Sequence, residues 1–338
     1  MKTNIAIVAG GDSGEYKISM KSGRMVLEAL DREKYEPFLI EIKGSDWFCN
    51  VDGQSIKIDK NDFSLSLNNQ TIHFECVFCA IHGSPGENGK LPAYFEMLQI
   101  PFTSCDSAVS ALTFNKNLCN RVVASWGVNV SPSMHFFNGD KNIAEQITGN
   151  LEFPVFVKPN ASGSSVGMSK VNNHDDLDAA IENAFAEDSE ILVEQFVKGR
   201  ELTCGVIESK NKLTVFQICE VKSKKEFFDY EAKYDPTLSE EIIPADVSLN
   251  VELLVKDTSA FLYKKLNCKG VVRFDYILRD DNDELFFLEV NTVPGLTGQS
   301  IVPKMAFDMG ISLKDLFSMM IEDALWRGGQ ANEVSKKS

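Results

Sequence analysis

The chain has 338 residues, 43% hydrophobic and 25% charged, a balance ordinary for a globular protein with a sizeable core; its length predicts two to three domains. A formal net charge of −15 excludes a nucleic-acid backbone or an anionic membrane as the natural partner, because both call for a basic surface. Local basic groups are therefore read as sites for small anions.

The opening MKTNIAIVAGGDSGE holds one Lys and a five-residue apolar run, too short for a signal peptide. No stretch is long enough to cross a bilayer. The eight cysteines lie mostly inside apolar runs and read as buried free thiols of a cytoplasmic protein rather than as a zinc or redox motif.

Ile5 to Ala9 is a continuous apolar strand that runs into Gly10-Gly11-Asp12-Ser13-Gly14-Glu15, after which Ile18, Met20, Met25, Val26, Ala29 and Leu30 recur at helical spacing. This is the opening of a doubly wound α/β unit, without the glycine spacing of a dinucleotide fingerprint. Glu15, at the strand's carboxyl end, is placed either to face a ligand or to sit as a solvated acid at a helix start. A second strand follows at 37 to 43, then a polar, hairpin-like segment from Trp47 to Thr71. The strand Cys76 to Ile81 delivers His82 into the loop Gly83-Ser84-Pro85-Gly86-Glu87-Asn88-Gly89, again at a carboxyl end, where open α/β sheets bind ligands. The helix PAYFEMLQ and Pro101 close a first domain.

Ser107 to Trp126 is predicted as one helix containing Lys116. Phe153 to Pro159 is a short strand carrying Lys158 to the lip of a loop, Asn160 to Gly167, that is rich in Gly and Ser. Unblocked backbone amides beside a lysine suit phosphate, although no Gly-Lys-Ser/Thr opens a helix and a plain flexible loop would look the same. After a helix at 175 to 186, two strands are expected around Lys198-Gly199-Arg200, with Glu194 and Glu201 near that turn. Glu220 to Val247 is charged and aperiodic, and its aromatics Phe227, Phe228, Tyr230 and Tyr234 favour a lid over a disordered loop. A helix at 252 to 266 leads into two more strands, Val271 to Arg279 and Leu285 to Asn291. Side chains alternate along a strand, so Arg273 and Asp275 share one face, and Glu289 and Asn291 share one face of the partner. A hairpin symmetric about Asn282 sets Asp275 opposite Glu289 and Arg273 opposite Asn291. Asp275, Glu289 and Asn291 are hard oxygen ligands of the kind magnesium takes, and Arg273 is shaped to hold an anionic oxygen. The following NTVPGLTGQS reads as an irregular functional loop, and ISLKDLFSMMIEDAL as an amphipathic helix.

Six motifs in this order, AGGDSGE, HGSPGENG, KPNASGSSVGMSK, DYEAKY, RFDYIL and LEVNTVPGLTGQS, make the chain resemble the D-alanine–D-alanine ligases of the ATP-grasp family over nearly its whole length. The resemblance implies an α/β and α+β protein of ATP-grasp architecture. It implies an N-terminal Rossmann-like domain at 1–101, a central lobe with the glycine-rich loop at 102–193, and a C-terminal lobe at 194–330 with a lid at 220–247, followed by a tail. The implied activity is ATP-dependent joining of two D-alanine molecules through an acyl phosphate, for peptidoglycan precursors, by a cytoplasmic homodimer using ATP and two Mg2+ or Mn2+ ions.

Carried over by position, Lys116 and Lys158 match lysines on the ATP phosphates, and Ser162 to Gly167, with Gly163, Ser164 and Ser165, match the mobile loop over them. Glu194, Val197 and Glu201 match nucleoside contacts. Asp275, Glu289 and Asn291 match the metal ligands, while Glu15, Ser164 and Tyr234 match a hydrogen-bonded trio around the substrates. Lys233 matches a residue reaching the γ-phosphate. Arg273 and the amide of Gly295 match the oxyanion site, His82 a first-substrate neighbour, and Ser300 and Ile301 the second-substrate contacts. The chain departs from the family pattern at Val293 and Gly298, hydroxyl-bearing in many relatives, and at Gln195, commonly Lys. The alternatives are another ATP-grasp ligase, including one that uses D-lactate, or a nucleotide-binding regulator without catalysis.

Overall fold

The computed structural model describes residues 2–163, 166–223 and 239–335, and among these the strands form three sheets. The first grows around β1 (Thr3–Gly10), which pairs in parallel with β2 (Tyr35–Lys43) on one side and β7 (Cys76–Cys79) on the other. Ile5 through Ala9 are fully buried, as expected of a parallel strand covered on both faces. The polar segment after β2 is more than a hairpin. β3 (Asp46–Val51), β4 (Gln54–Asp59), β5 (Ser64–Leu67) and β6 (Gln70–Ile72) run antiparallel and extend the sheet to seven strands.

The second sheet has the order β11 (Ser169–Val171), β10 (Val155–Pro159), β12 (Glu190–Gln195), β9 (Ser133–Phe137), all antiparallel. The helices α5 (Ile143–Asn150) and α6 (Leu177–Phe185) pack on it through Ile147, Leu177 and Ile181. The third sheet has the order β15 (Ser239–Ile242), β14 (Lys212–Ser223), β13 (Gly199–Ser209), β16 (Val271–Arg279), β17 (Leu285–Asn291), β8 (Asn129–Val130). Helix α7 (Leu249–Lys265) backs it, with Val255, Leu262 and Tyr263 against Cys204, Phe274 and Tyr276.

Three predicted elements come out differently. The helix expected over Ser107 to Trp126 is two, α3 (Ser107–Phe114) and α4 (Lys116–Ser125). Asn115 leaves the helical region and its side chain accepts the Leu118 N–H at 2.9 Å, capping α4. The strands on either side of Lys198-Gly199-Arg200 do not pair with each other: β12 belongs to the second sheet and β13 to the third, so residues 196–198 cross from one to the other. The stretch Glu220 to Val247 is not aperiodic at its ends, because Glu220 to Ser223 finish β14 and β15 returns beside them. Residues 224–238, with the lid aromatics, lie outside the described residues.

A helix that the sequence reading passes over, α8 (Ile301–Asp308), follows directly on the NTVPGLTGQS loop. The last helix, α9 (Leu313–Ser335), packs back on the first sheet. Phe317 meets Phe78 of β7 edge-on at 5.4 Å, and Arg327 donates to the Phe102 carbonyl at 3.0 Å. Chain start and chain end thus share one core with the strands β13 and β14.

The first and third sheets also meet where the segment after β7 passes the turn before β16. Gly270 has φ +62°, and a Cβ there would lie 1.9 Å from the Thr103 carbonyl oxygen. Gly270→Ala combines a left-handed backbone with a collision against main chain, and is expected to lower stability by about 3 kcal/mol. A urea midpoint unchanged from the parent protein would show that these two segments can part without cost.

Candidate active site

Between the second and third sheets lies a cleft of about 530 Å³, within the range of small-molecule sites. The second sheet presents Phe156, Lys158 and Glu194 to it. The third presents Glu201, Thr203, Arg273, Asp275 and Glu289, and the crossing segment presents Val197. Ser162, Gly163, Lys116 and Ile301 also line it, as do Arg200, Glu220 and Lys222.

The predicted facing of Arg273 with Asn291 and of Asp275 with Glu289 is present, but a symmetric turn does not produce it. Nearer the turn, Tyr276 faces Phe287 and Leu278 faces Leu285, a register shifted by one, and a β-bulge between Asp275 and Tyr276 makes the correction. The extra residue is Leu288, and it lines the cleft together with Glu289. Phe287 and Val290 on either side stay in the core. Without the bulge, Glu289 and Asn291 would fall on the face opposite Asp275.

Asp275 is the hub. Arg273 donates to it through Nε at 2.8 Å and Nη2 at 2.7 Å, Thr203 Oγ1 at 2.6 Å and Asn291 Nδ2 at 2.9 Å. Four donors fill the acceptor capacity of one carboxylate. Burial penalises the Arg273 charge, yet the adjoining Asp275, with Glu289 and Glu201 farther off, raises its pKa above the ordinary guanidinium value. Glu289 has Lys116 Nζ at 3.4 Å.

The residues fit magnesium by donor chemistry: two carboxylates and an amide beside a cleft able to bring phosphate oxygens. Asn291 spends its Nδ2 on Asp275, which aims Oδ1 elsewhere. Glu289 and Asn291 would therefore receive a cation directly, whereas ligation by Asp275 requires one of its donors to yield. Among the described residues no three His, Cys, Asp or Glu side chains cluster as a metal site. A divalent ion here would depend on the amide and on phosphate.

Lys116 opens α4, and its Nζ donates to the Ser162 carbonyl at 2.8 Å, while its backbone N–H donates to Asn160 O at 3.1 Å. The helix start is thereby tied to the glycine loop. Lys158 Nζ lies 2.6 Å from Glu194 Oε2. Glu15 is brought to the same loop from the first sheet. A Cβ on Gly163 would stand 2.5 Å from Glu15 Oε2, so a larger residue there would push the carboxylate away from the loop. Ser164, Ser165, Lys233 and Tyr234 lie outside the described residues.

His82 is buried. Its Nδ1 is 2.8 Å from the Val293 carbonyl and its Nε2 2.9 Å from Ser22 Oγ. Burial lowers its pKa, partly opposed by Glu15. A carbonyl only accepts, so the neutral ring carries its proton on Nδ1 and accepts from Ser22. Ser300 precedes α8, its Oγ 2.9 Å from Thr297 Oγ1, and Gly295 lies against it.

The sequence reading missed Glu87. Its carboxylate accepts the Gly83 N–H at 2.7 Å and the Val293 N–H at 3.1 Å, joining the glycine-rich loop after β7 to the loop after β17. Burial, then the neighbouring Glu15, push its pKa up to about 8. The available signal was its place as the lone acid of a Gly-rich loop at a strand's carboxyl end. Val293 serves both His82 and Glu87 through its main chain, and its side chain packs in the apolar cluster that holds Val8, Val77 and Cys79 of the first sheet, so the missing hydroxyl removes neither bond.

Two sheet-based lobes, one antiparallel and one antiparallel except for its β17–β8 edge, gripping a nucleotide-sized cleft are the arrangement of an ATP-grasp enzyme. The descriptions "D-ala D-ala ligase N-terminus" and "D-ala D-ala ligase C-terminus" match residues 4–105 and 122–322. A D-alanine–D-alanine ligase of Flavobacterium johnsoniae is 44% identical over 323 residues, 95% of this chain and 99% of that protein. Among solved structures, the VanG D-Ala:D-Ser ligase of Enterococcus faecalis superposes with a TM-score of 0.86 at 30% identity, covering 96% of this chain and 100% of that one. The D-alanine–D-alanine ligase of Bacillus anthracis complexed with ATP does so at 0.79 and 27% identity, covering 98% and 99%. The chain belongs to the D-alanine–D-alanine ligase family.

Proposed function

We infer that this enzyme joins two D-alanine molecules at the expense of ATP, making D-alanyl-D-alanine for peptidoglycan precursors. One observation carries the reading: Arg273, Asp275 and Glu289 face the same cleft as Lys116 and Lys158, so cations for a phosphate chain and a group for an oxyanion converge.

In this reading the nucleoside lies along Glu194, Val197 and Glu201, and Lys116 and Lys158 receive the phosphates under the Ser162–Gly163 loop. Glu15 and His82 border the first D-alanine. Its carboxylate oxygen takes the γ-phosphoryl group and ADP leaves, a transfer governed by positioning and charge. The amine of the second D-alanine, held near Ser300 and Ile301, attacks the carbonyl carbon, and phosphate departs as the amide forms. Arg273 and the Gly295 N–H would hold the oxyanion. Magnesium on Glu289, Asn291 and Asp275 would supply neutralisation of phosphate charge.

The domain limits 1–101, 102–193 and 194–330 are proposed with this reading, as are a cytoplasmic location and a homodimer. The eight buried, unpaired cysteines support a reducing compartment, and no described helix is long and apolar enough to cross a membrane.

The test is ADP formation with a panel of D-alanine, D-serine, D-lactate and L-alanine at neutral pH. D-alanine alone should support rapid turnover and yield the dipeptide. Preferred incorporation of D-lactate or D-serine would reassign the second substrate, and saturable ATP binding without turnover on any D-amino acid would point to a nucleotide-binding regulator.

A further inference from the structure

Behind the cleft wall, Asn120 of α4 is buried with its side chain on Glu194: Nδ2 donates to Oε1 at 2.8 Å. Lys158 holds the other oxygen, Oε2, at 2.6 Å. Glu194 is itself buried and lines the cleft. The Asn120 Oδ1 has no hydrogen-bond partner among the described residues. A buried amide with one end unsatisfied is costly, and turning it over would not help, since Oδ1 would then face a carboxylate. The orientation is therefore set by the charge of Glu194.

Lys158 has two calls on it. Its ammonium neutralises Glu194 in the structure, and in the function inferred above it turns to the phosphates. Once it does so, Glu194 is left as a buried carboxylate whose remaining fixed donor is Asn120. We propose that Asn120 is a positioning residue for nucleotide binding, seating Glu194 against the nucleoside so that Lys158 is released to the phosphate chain. The proposal rests on the inference that this cleft takes ATP, and it adds a residue that touches neither substrate.

Two variants with the same number and branching of side-chain heavy atoms as Asn separate the roles, the Leu variant being the bulkier. Asn120→Leu removes the donor, and Asn120→Asp replaces it with an acceptor beside the carboxylate. ATP affinity is measured directly by calorimetry on the full chain, alongside steady-state constants and melting temperature. Asn120→Leu should weaken ATP binding and raise KM for ATP about tenfold, with kcat and KM for D-alanine within twofold of the parent. Asn120→Asp should weaken ATP binding more. A merely structural role would lower the melting temperature of both variants and leave the ATP constants unchanged; that result overturns the proposal, as does an Asp variant binding ATP like the parent even if the Leu variant does not fold. Failure of the parent protein to bind ATP would instead overturn the functional reading on which the proposal stands.

Discussion

Arg273→Lys is expected to lower kcat about a thousandfold with the fold retained. The substitution keeps a positive charge near Asp275 but loses the planar fork that makes both the 2.8 Å and 2.7 Å bonds and that would reach an oxyanion at the same time. Lysine is the informative choice because a neutral side chain would leave Asp275 buried without its ion-pair partner, at a cost of about 3–5 kcal/mol that confuses misfolding with lost chemistry. Single-turnover measurement of ADP and of dipeptide together distinguishes the two halves of the reaction: acyl phosphate formation should suffer less than dipeptide formation. A variant within tenfold of the parent in both would remove Arg273 from the oxyanion site.

Asp275→Asn is expected to lower turnover by about 10² to 10³ and to weaken Mn2+ binding, read by the loss of free-ion signal in electron paramagnetic resonance. Truncation to Ala is the poorer test, since Thr203, Asn291 and above all Arg273 converge on this carboxylate and would lose their acceptor together. The amide keeps the volume and one oxygen while removing the charge, and because this leaves Arg273 without its ion-pair partner, the melting temperature is measured beside turnover to separate unfolding from lost metal. Parent-like Mn2+ affinity in Asp275→Asn would take Asp275 out of the metal set, leaving it as the clamp for Arg273.

The acidic hairpin was legible because strand periodicity and composition are local: Arg273, Asp275, Glu289 and Asn291 announce their faces by spacing alone. The pairing of those faces was reached on a wrong assumption, a symmetric turn, which the bulge at Leu288 offsets; nothing in LFFLEVN marks which residue will be the extra one. Sheet membership was less legible still. A Lys-Gly-Arg turn between two apolar strands leaves their pairing open, and only tertiary pairing, β12 with β10 and β13 with β16, shows that it bridges two lobes. Helix α8 was obscured by the Gly-Pro-Thr run before it and by Pro303, which is tolerated because it lies in the first turn. Glu87 was passed over because its partners, Gly83 and Val293, offer main-chain amides, which leave no trace in side-chain type. Family likeness supplied the roles of residues such as Glu15, which spacing alone left balanced between a ligand and a solvated acid.

The seam between Phe78 and Phe317 bears on how the polypeptide matures during synthesis. The strand bearing Phe78 leaves the ribosome long before the helix bearing Phe317, so a nascent N-terminal segment displays an uncovered greasy surface until that helix has been made. Chaperone dependence of newly made protein, and aggregation of any product cut short before that helix, follow from the order in which the two aromatic partners are made.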